Sequence, residues 1–356
     1  MMRRWQKEGK IQGGECMTTI KEIAKRCNVS ITTVSNVMNN RGKVSDETEK
    51  KIWEAAKELN YVPNYMAKNL KQKNNRNIGI IAEDLTVFHI PYVVDGINAF
   101  LDENNYTFIL GNMRLYQKHG DKYYMCTDYE DIVREELRIM AAKQVAGIIY
   151  IEGHCHEINC VPEGFPIPMV SVYGFINTNN VPAVIYDDEQ GACAAVEKLL
   201  QHEQTKIGII TGSAESYHTR KRQQGYHKAL YKAGVLYDPE WMEEGDWSRR
   251  SGYKAAGRLV EKGVRSIFAM NDLMAGGVYD YAREHKLEMG KDIRVIGFDD
   301  REICQAYDPQ LTSVALPLRE LGKTSAQMLL QRIENREGST EHVRKIECIL
   351  KVRGSV

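Results

Sequence analysis

The chain has 356 residues, more than one ordinary domain at roughly 150 residues each, and enough to bury a sizeable core. Lys+Arg and Asp+Glu are each 48, so the net charge is zero, and on that figure alone no nucleic-acid partner is expected. The balance is uneven along the chain. Through Arg76 there are 16 basic and 8 acidic residues, leaving 32 basic against 40 acidic beyond it, so the N-terminal piece attracts phosphates and the rest does not. Eight cysteines show no CxxC spacing and follow no secretory signal, which fits a reduced, cytoplasmic protein. No apolar run approaches the ~20 residues of a bilayer span, so no membrane role is expected.

Residues 1–16 are polar and aperiodic, and read as a disordered tail or the product of an upstream start codon, with Met17 the functional beginning. Thr19 and Glu22 form a capping-box pattern, and Ile20, Ile23, Ala24 and Cys27 share one face of a first helix. Asn28-Val29 makes a turn, and Ser30 caps a second helix whose Val34, Val37 and Met38 face inward, ending near Asn39-Asn40. Its outward residues Ile31, Thr32, Thr33, Ser35 and Asn36 are small, short-branched or amide side chains that can reach base edges in a major groove. Thr19, Ser30, Asn39 and Lys43 are the candidate contacts to the DNA backbone. Ser45 caps a third helix, and Ile52, Ala55, Ala56 and Leu59 close the unit, an all-α three-helix helix-turn-helix head over residues 17–62.

Residues 63–76 read as a hinge and linker. Pro63 stops the third helix, Asn64 is a new N-cap, and one or two turns follow with Ala67 and Leu70, too short to be stable alone in water. Asn64, Ala67, Lys68, Leu70 and Lys71 are the candidate functional residues of this segment.

From Ile78 onward apolar strands alternate with amphipathic helices, the pattern of parallel sheets covered on both faces. Strands are expected at Asn77–Ala82, Thr107–Gly111, Gly147–Ile151, Met169–Val172, Ala183–Tyr186, Lys206–Thr211, Ser266–Met270 and Ile293–Gly297, with a last one within Lys345–Val352. Their number calls for two doubly wound sheets within residues 77–356. The break is expected in the polar run Asn177–Asn180, giving a first lobe of about 77–178 and 311–340 and a second of about 181–308 and 341–356. Ligands bind such sheets at the carboxyl ends of strands, which singles out Phe88, His89, Tyr173 and Asp272. Charged groups opposite an aromatic face, which Trp247 could supply, suit a hydroxyl-rich ring, so a sugar or sugar derivative is the expected ligand.

The run Ile20, Glu22-Ile23-Ala24, Val29-Ser30, Thr33-Val34-Ser35, Met38-Asn39 closely resembles the signature of the lac-repressor/galactose-repressor family. The chain departs from it at Cys27, where a small residue is usual, and at Asn36, where an arginine is usual. The second departure exchanges a guanine reader for a side chain that pairs bidentately with adenine. Downstream, Asp187-Asp188, Lys206–Ile210, Arg222-x-x-Gly225-Tyr226, Asn271-Asp272-x-Met274-Ala275-x-Gly277, Ile296–Asp300, Pro309-x-Leu311-Thr312 and Leu321-Gly322 fall in the family's order. They resemble its α/β periplasmic-binding-protein-like type I effector domain.

The resemblance implies that the hinge orders on operator DNA, pairs with its dimer mate and inserts Leu70 into the minor groove, kinking the duplex. It implies that Arg222 holds the effector, with Asp272 as acidic partner, and that the chain crosses between lobes three times. It also implies a homodimer on a pseudo-palindromic operator, with half-sites about 10 base pairs apart, and a cleft whose closure biases the hinge. Tyr173 stands where the family has an acidic residue, and the first ligand loop lacks the family's Pro-Phe-Phe pattern.

No enzyme and no cofactor is expected, since no dinucleotide-binding or Walker pattern and no distinguishable catalytic set occurs. His154-Cys155-His156 with Cys160 lacks tetrahedral finger spacing and reads as a surface loop without metal. The alternative from another class is a solute-binding or sugar-sensing protein whose helical head is an oligomerisation module.

Overall fold

The computed structural model describes residues 19–38, 44–61, 75–120, 123–125, 127–178, 181–202, 206–334 and 342–356. It divides into two compact units that part between Asn74 and Asn75.

The first unit contains α1 (Ile20–Cys27), α2 (Ile31–Met38) and α3 (Asp46–Glu58). Glu22 accepts the Thr19 backbone N–H at 2.6 Å, and Asn28, in the left-handed region at φ 54°, ends α1 tightly enough for α2 to begin at Ile31. Ser30 Oγ accepts the Thr33 N–H at 3.0 Å, capping α2. Ile23, Ala24, Cys27, Val34, Val37, Ile52, Ala55 and Ala56 form one buried core. Cys27 serves in it as a small apolar side chain, its Sγ 3.5 Å from the Lys51 carbonyl.

The second unit has two lobes. The first is built from β1 (Asn77–Ala82), α4 (Ile90–Glu103), β2 (Thr107–Asn112), α5 (Leu115–His119), α6 (Glu130–Ala142), β3 (Gly147–Ile151), β4 (Glu157–Ile158), β5 (Met169–Val172), β6 (Phe175–Ile176) and β7 (Ala183–Tyr186). The chain continues through α7 (Asp188–Leu200), β8 (Ile207–Thr211), α8 (Tyr217–Lys232), β9 (Met242–Glu244), α9 (Arg249–Glu261), β10 (Ser266–Ala269), α10 (Asp272–Glu284), β11 (Arg294–Asp299) and β12 (Thr312–Ala315). It ends in α11 (Leu318–Ile333), β13 (Val343–Ile346) and β14 (Ile349–Lys351).

One sheet runs β13-β7-β5-β3-β1-β2, all parallel; the other runs β14-β12-β11-β10-β8-β9, parallel except for β14; β4 and β6 pair separately. Every residue of β3, β5, β7, β8 and β10 is buried, as expected of parallel strands covered on both faces. α11 returns to the first lobe and packs on α4 at two glycines. A Cβ on Gly96 would collide with the Arg319 carbonyl, and one on Gly322 with the Val93 carbonyl, so the two backbones touch.

The lobe boundaries differ from those read in the sequence. Ala183–Tyr186 does not open the second lobe. It pairs with β5 and β13 inside the first sheet, and the passage to the second lobe comes at Asp187. Thr312–Ala315 belongs to the second sheet, and the return to the first lobe begins only with α11. The final stretch is split, β13 completing the first sheet and β14 the second. Apolar runs announce strands, but membership of a sheet is decided by pairing partners far away in sequence.

Candidate functional site

On the head, Ile31 and Thr32 are exposed, whereas Thr33, Ser35 and Asn36 are partly covered. Thr33 Oγ1 lies 2.8 Å from Ser30 Oγ, so both hydroxyls help hold the start of α2 and Ser30 acts first as its cap. Among the candidate DNA residues, Asn39, Lys43, Asn64, Ala67, Lys68, Leu70 and Lys71 lie outside the described residues.

The second unit concentrates chemistry where strands of both lobes end. Most non-glycine residues with left-handed φ border helices, as Asn28, Asn60, Asn105, Gln144 and Lys286 do. Three do not: Tyr173 (φ 77°) follows β5, Asp299 (φ 106°) ends β11 and Asp300 (φ 49°) comes directly after it. Trp247 (φ 68°), two residues before α9, is a bulky aromatic among those that do. Bulky residues in this region cost roughly 1–3 kcal/mol each and persist only where the surroundings impose them.

Arg222, on α8, lies among them and is 2% exposed. Its Nε donates to Asp188 Oδ1 at 2.7 Å, Nη1 to the Met270 carbonyl, and Nη2 to Tyr186 Oη at 3.0 Å. The guanidinium lies 3.7 Å above the centre of the Phe298 ring and 5.9 Å from that of Trp247. Asp188, in the first turn of α7, also receives His218 Nδ1 at 2.9 Å. Despite burial, the charges of His218 and Arg222 hold the Asp188 carboxyl below its usual range.

Tyr186 Oη donates to Tyr173 Oη at 3.2 Å. The Tyr173 ring stacks on His89 with centroids 3.6 Å apart and meets His218 edge-on at 5.1 Å. Phe175 and Tyr217 make a second such contact at 5.5 Å. Aromatic rings of the first lobe therefore rest on the N-terminal turn of α8 in the second.

Of the ligand candidates, Phe88, His89, Tyr173, Arg222 and Trp247 gather here. Phe88 lies under the Arg301 guanidinium at 4.9 Å. A Cβ on Gly212, in the turn after β8, would fall inside the Trp247 indole, so that glycine is what lets the ring lie down. Asp272 is placed differently from the expectation. Its carboxylate accepts Ser313 Oγ at 2.5 Å and the Arg301 backbone N–H at 2.7 Å, tying β12 and the loop after β11 to the start of α10. The carboxylates beside Arg222 are Asp188 and Asp299, the latter 3.7 Å from Nη2. Burial pushes Asp299 up to about 8 and Asp272 to about 6.

His89 Nε2 lies 2.8 Å from the Glu152 carbonyl, which can only accept, so Nε2 carries the hydrogen. Nδ1 is then a bare lone pair, buried and without a protein donor, and burial holds the ring neutral with its pKa down at about 3.

Behind His89 lies a buried polar network that the sequence did not announce. Glu83 and Glu152, each directly following a first-lobe strand, are both fully buried. Glu83 accepts Tyr123 Oη, Tyr150 Oη at 2.9 Å and the Gly153 N–H at 2.6 Å; Glu152 accepts Ser171 Oγ at 2.9 Å. His156 stands between the two, 3.7 Å from Glu83 and 3.5 Å from Glu152. The His154–Cys160 segment is thus not the surface loop expected, since Cys155, Ile158 and Cys160 are buried and its histidines pack on Tyr123, Tyr124 and Tyr129. Among the described residues no group of three or more His, Cys, Asp or Glu is placed to hold a metal ion, and no helix is long and apolar enough to cross a membrane.

Sequence reasoning missed Tyr186, Asp188, His218 and Asp299 as parts of this cluster. Asp187-Asp188 and Asp299-Asp300 were visible as pairs of acids at strand ends, and that position was the available signal.

Residues 19–64 match the domain described as bacterial regulatory proteins, lacI family, and residues 196–356 match a periplasmic binding protein-like domain. The chain is 30% identical over 339 residues to the HTH-type transcriptional repressor PurR of Aliivibrio salmonicida (strain LFI1238), covering 93% of this chain and 95% of that protein. It is 30% identical over 337 residues to the PurR of Vibrio cholerae serotype O1 (strain M66-2), covering 93% and 94%. It superposes on the lac repressor dimer bound to operator and the anti-inducer ONPF with a TM-score of 0.77 at 25% identity, over 96% of this chain and 99% of that one. The chain belongs to the lacI family of bacterial DNA-binding transcriptional regulators.

Proposed function

We propose that this protein is a homodimeric repressor that reads a pseudo-palindromic operator with α2 and is controlled by a small, sugar-like ligand held between the lobes of its second unit. The observation that carries the ligand site is the convergence of strained backbone at Tyr173, Trp247 and Asp299 on the buried Arg222. Strain of that kind persists where function requires it. Phe88, His89, Tyr173, Arg222 and Trp247 line the site, and Asp272 supports it from behind.

In the head, Ile31, Thr32, Thr33, Ser35 and Asn36 read bases while Thr19, Ser30, Asn39 and Lys43 position the backbone. Asn64, Ala67, Lys68, Leu70 and Lys71 form the segment through which the ligand acts on DNA, by favouring one of its two states. The curated relatives are named transcriptional repressors, and the lac repressor structure is described as a dimer bound to operator; both support this reading.

Fluorescence anisotropy with duplexes from the protein's own upstream region tests it. Sequence-specific, salt-sensitive binding that one ligand class from a thermal-shift screen of sugars, sugar phosphates and nucleobases alters is the expected result. Binding confined to a small molecule, with none to DNA, would instead establish the solute sensor with an oligomerising head.

A further inference from the structure

Ser171, on β5 and fully buried, has two acceptors and one hydrogen to give them. Its Oγ lies 2.8 Å from the Gly174 carbonyl and 2.9 Å from Glu152 Oε1. A carbonyl and an ionised carboxylate can only accept, so with Glu152 ionised one of the two contacts presses a pair of oxygens together with nothing between them. The other oxygen of Glu152 accepts the His156 backbone N–H at 3.3 Å, while His156 Nδ1 is directed at the His154 carbonyl at 2.7 Å. One donor and one acceptor make a neutral carboxylic acid. Every contact is then satisfied, with the Glu152 O–H donating to Ser171 and Ser171 donating to Gly174.

The surroundings agree. Glu83, in the same buried pocket, already accepts Tyr123 Oη, Tyr150 Oη and the Gly153 N–H, so of the two carboxyls it is the one with donors to hold a charge. Burial and the Glu83 carboxyl push Glu152 well above the usual carboxylate range. Burial likewise raises Tyr123, Tyr129, Tyr150 and the Cys155 thiol, which leaves Glu83 and His156 as the groups that can carry charge beside it. What this acid holds is the aromatic wall of the first lobe. The Glu152 carbonyl accepts His89 Nε2–H at 2.8 Å, and its side chain reaches, through Ser171, the far side of the Tyr173 turn. A Cβ on Gly174 would fall on the Glu152 carboxyl, so the acid lies directly against that turn. His89 and Tyr173, stacked at 3.6 Å, are thus both tied to one residue.

We propose that Glu152 is a positioning residue of the cleft, a neutral acid whose hydrogen, relayed through Ser171 to the Gly174 carbonyl, fixes the His89–Tyr173 stack. The Glu152–Ser171 bond then runs from acid to hydroxyl. Loss of the proton to solvent turns the Ser171 hydrogen back to the carboxylate and frees the Tyr173 turn, so alkaline conditions loosen this wall. The consequence for ligand binding rests on the cleft being the ligand site; the proton and the stack do not.

The test uses the full-length protein and needs no ligand. An amide keeps one donor and one acceptor in place, so Glu152→Gln preserves the relay and Ser171→Ala breaks it. Unfolded glutamate releases near 4.5 the proton that the folded chain keeps, so the melting temperature of wild type minus that of Glu152→Gln is expected to fall by about 2–4 °C per pH unit from about pH 5 to about pH 7. The infrared difference between the two at neutral pH should show the carbonyl stretch of a protonated carboxyl in wild type. In histidine-labelled protein the His89 Hε1 resonance, assigned by its loss in His89→Gln, should stay in place in Glu152→Gln and move in Ser171→Ala. A melting difference that is flat or rises with pH, an absent carboxyl band, a His89 resonance that Ser171→Ala leaves in place, or one that Glu152→Gln moves as far overturns the proposal. A falling difference and a held stack in a protein for which the thermal-shift screen finds no ligand would support Glu152 in this role and remove the ligand reading alone.

Discussion

Replacing Arg222 by methionine isolates the buried ion pair between α7 and α8. The stem keeps its volume, so packing against Phe298 and Trp247 is largely retained, while the charge and its donors vanish. Asp188 is then a buried carboxylate with His218, at 2.9 Å, as its remaining side-chain partner. Removing one member of a buried pair costs about 3–5 kcal/mol. Stranding the Met270 carbonyl adds roughly 1 kcal/mol, and the retained His218 hydrogen bond to Asp188 returns part of the sum. A net loss of about 4 kcal/mol follows, read by urea denaturation of the second unit. Asp188→Asn in the same background removes the stranded charge and should recover roughly 2 kcal/mol, a coupling that only direct contact produces. A single variant costing under ~1 kcal/mol, or a double variant no more stable than the single, would refute the claim that Arg222 and Asp188 hold each other.

Asp272 and Asp299 keep protons in the folded chain that the unfolded chain releases near its ordinary carboxyl pKa of 3.8. Stability of the second unit should therefore fall as pH rises from about 4 to about 8, and Asp299→Asn should flatten the upper half of that slope; identical melting profiles would contradict it. Gly212→Ala should cost about 1–3 kcal/mol by forcing the Trp247 indole aside, with a change in tryptophan emission that Trp247→Phe abolishes. Asn36→Arg should move the preferred base at one operator position from adenine to guanine by about 1–3 kcal/mol in a binding-site selection. Leu70→Ala should weaken specific operator binding at fixed salt and leave calorimetric ligand binding unchanged, and an unaltered operator affinity would remove Leu70 from the hinge's role.

The head was legible because its signals are local. Caps at Thr19 and Ser30 and an apolar face within each short helix decide the structure over distances of a few residues. The strands of the second unit were legible for the same reason, as continuous Ile, Val and Ala runs. Met242–Glu244 and Thr312–Ala315 were not, the first an edge strand with two acids and the second opening on Thr-Ser. The cleft was half legible. Arg222 stood out by position and resemblance, but its partner lies 34 residues upstream, and nothing local distinguishes Asp188 from Asp272 as the acid that meets it. The His154–Cys160 segment misled for a related reason. Its polar composition resembles a surface loop, and only the tyrosines of another segment and two carboxylates at strand ends make it an interior one.

The split of the last strands between lobes sets the order in which this protein can be made. β13 and β14 are three residues apart, yet one pairs with β7 and the other with β12, and Ser355 Oγ accepts the Thr312 N–H at 2.9 Å while donating to the Val295 carbonyl at 2.6 Å. During synthesis the head can fold as soon as it leaves the ribosome. Neither sheet of the second unit is complete until residues 343–351 emerge. A message cut short before Val343 would yield a DNA-reading head joined to two sheets with bare edges, open to pairing with other chains. One short stretch, residues 343–351, therefore holds the completion of both sheets at once.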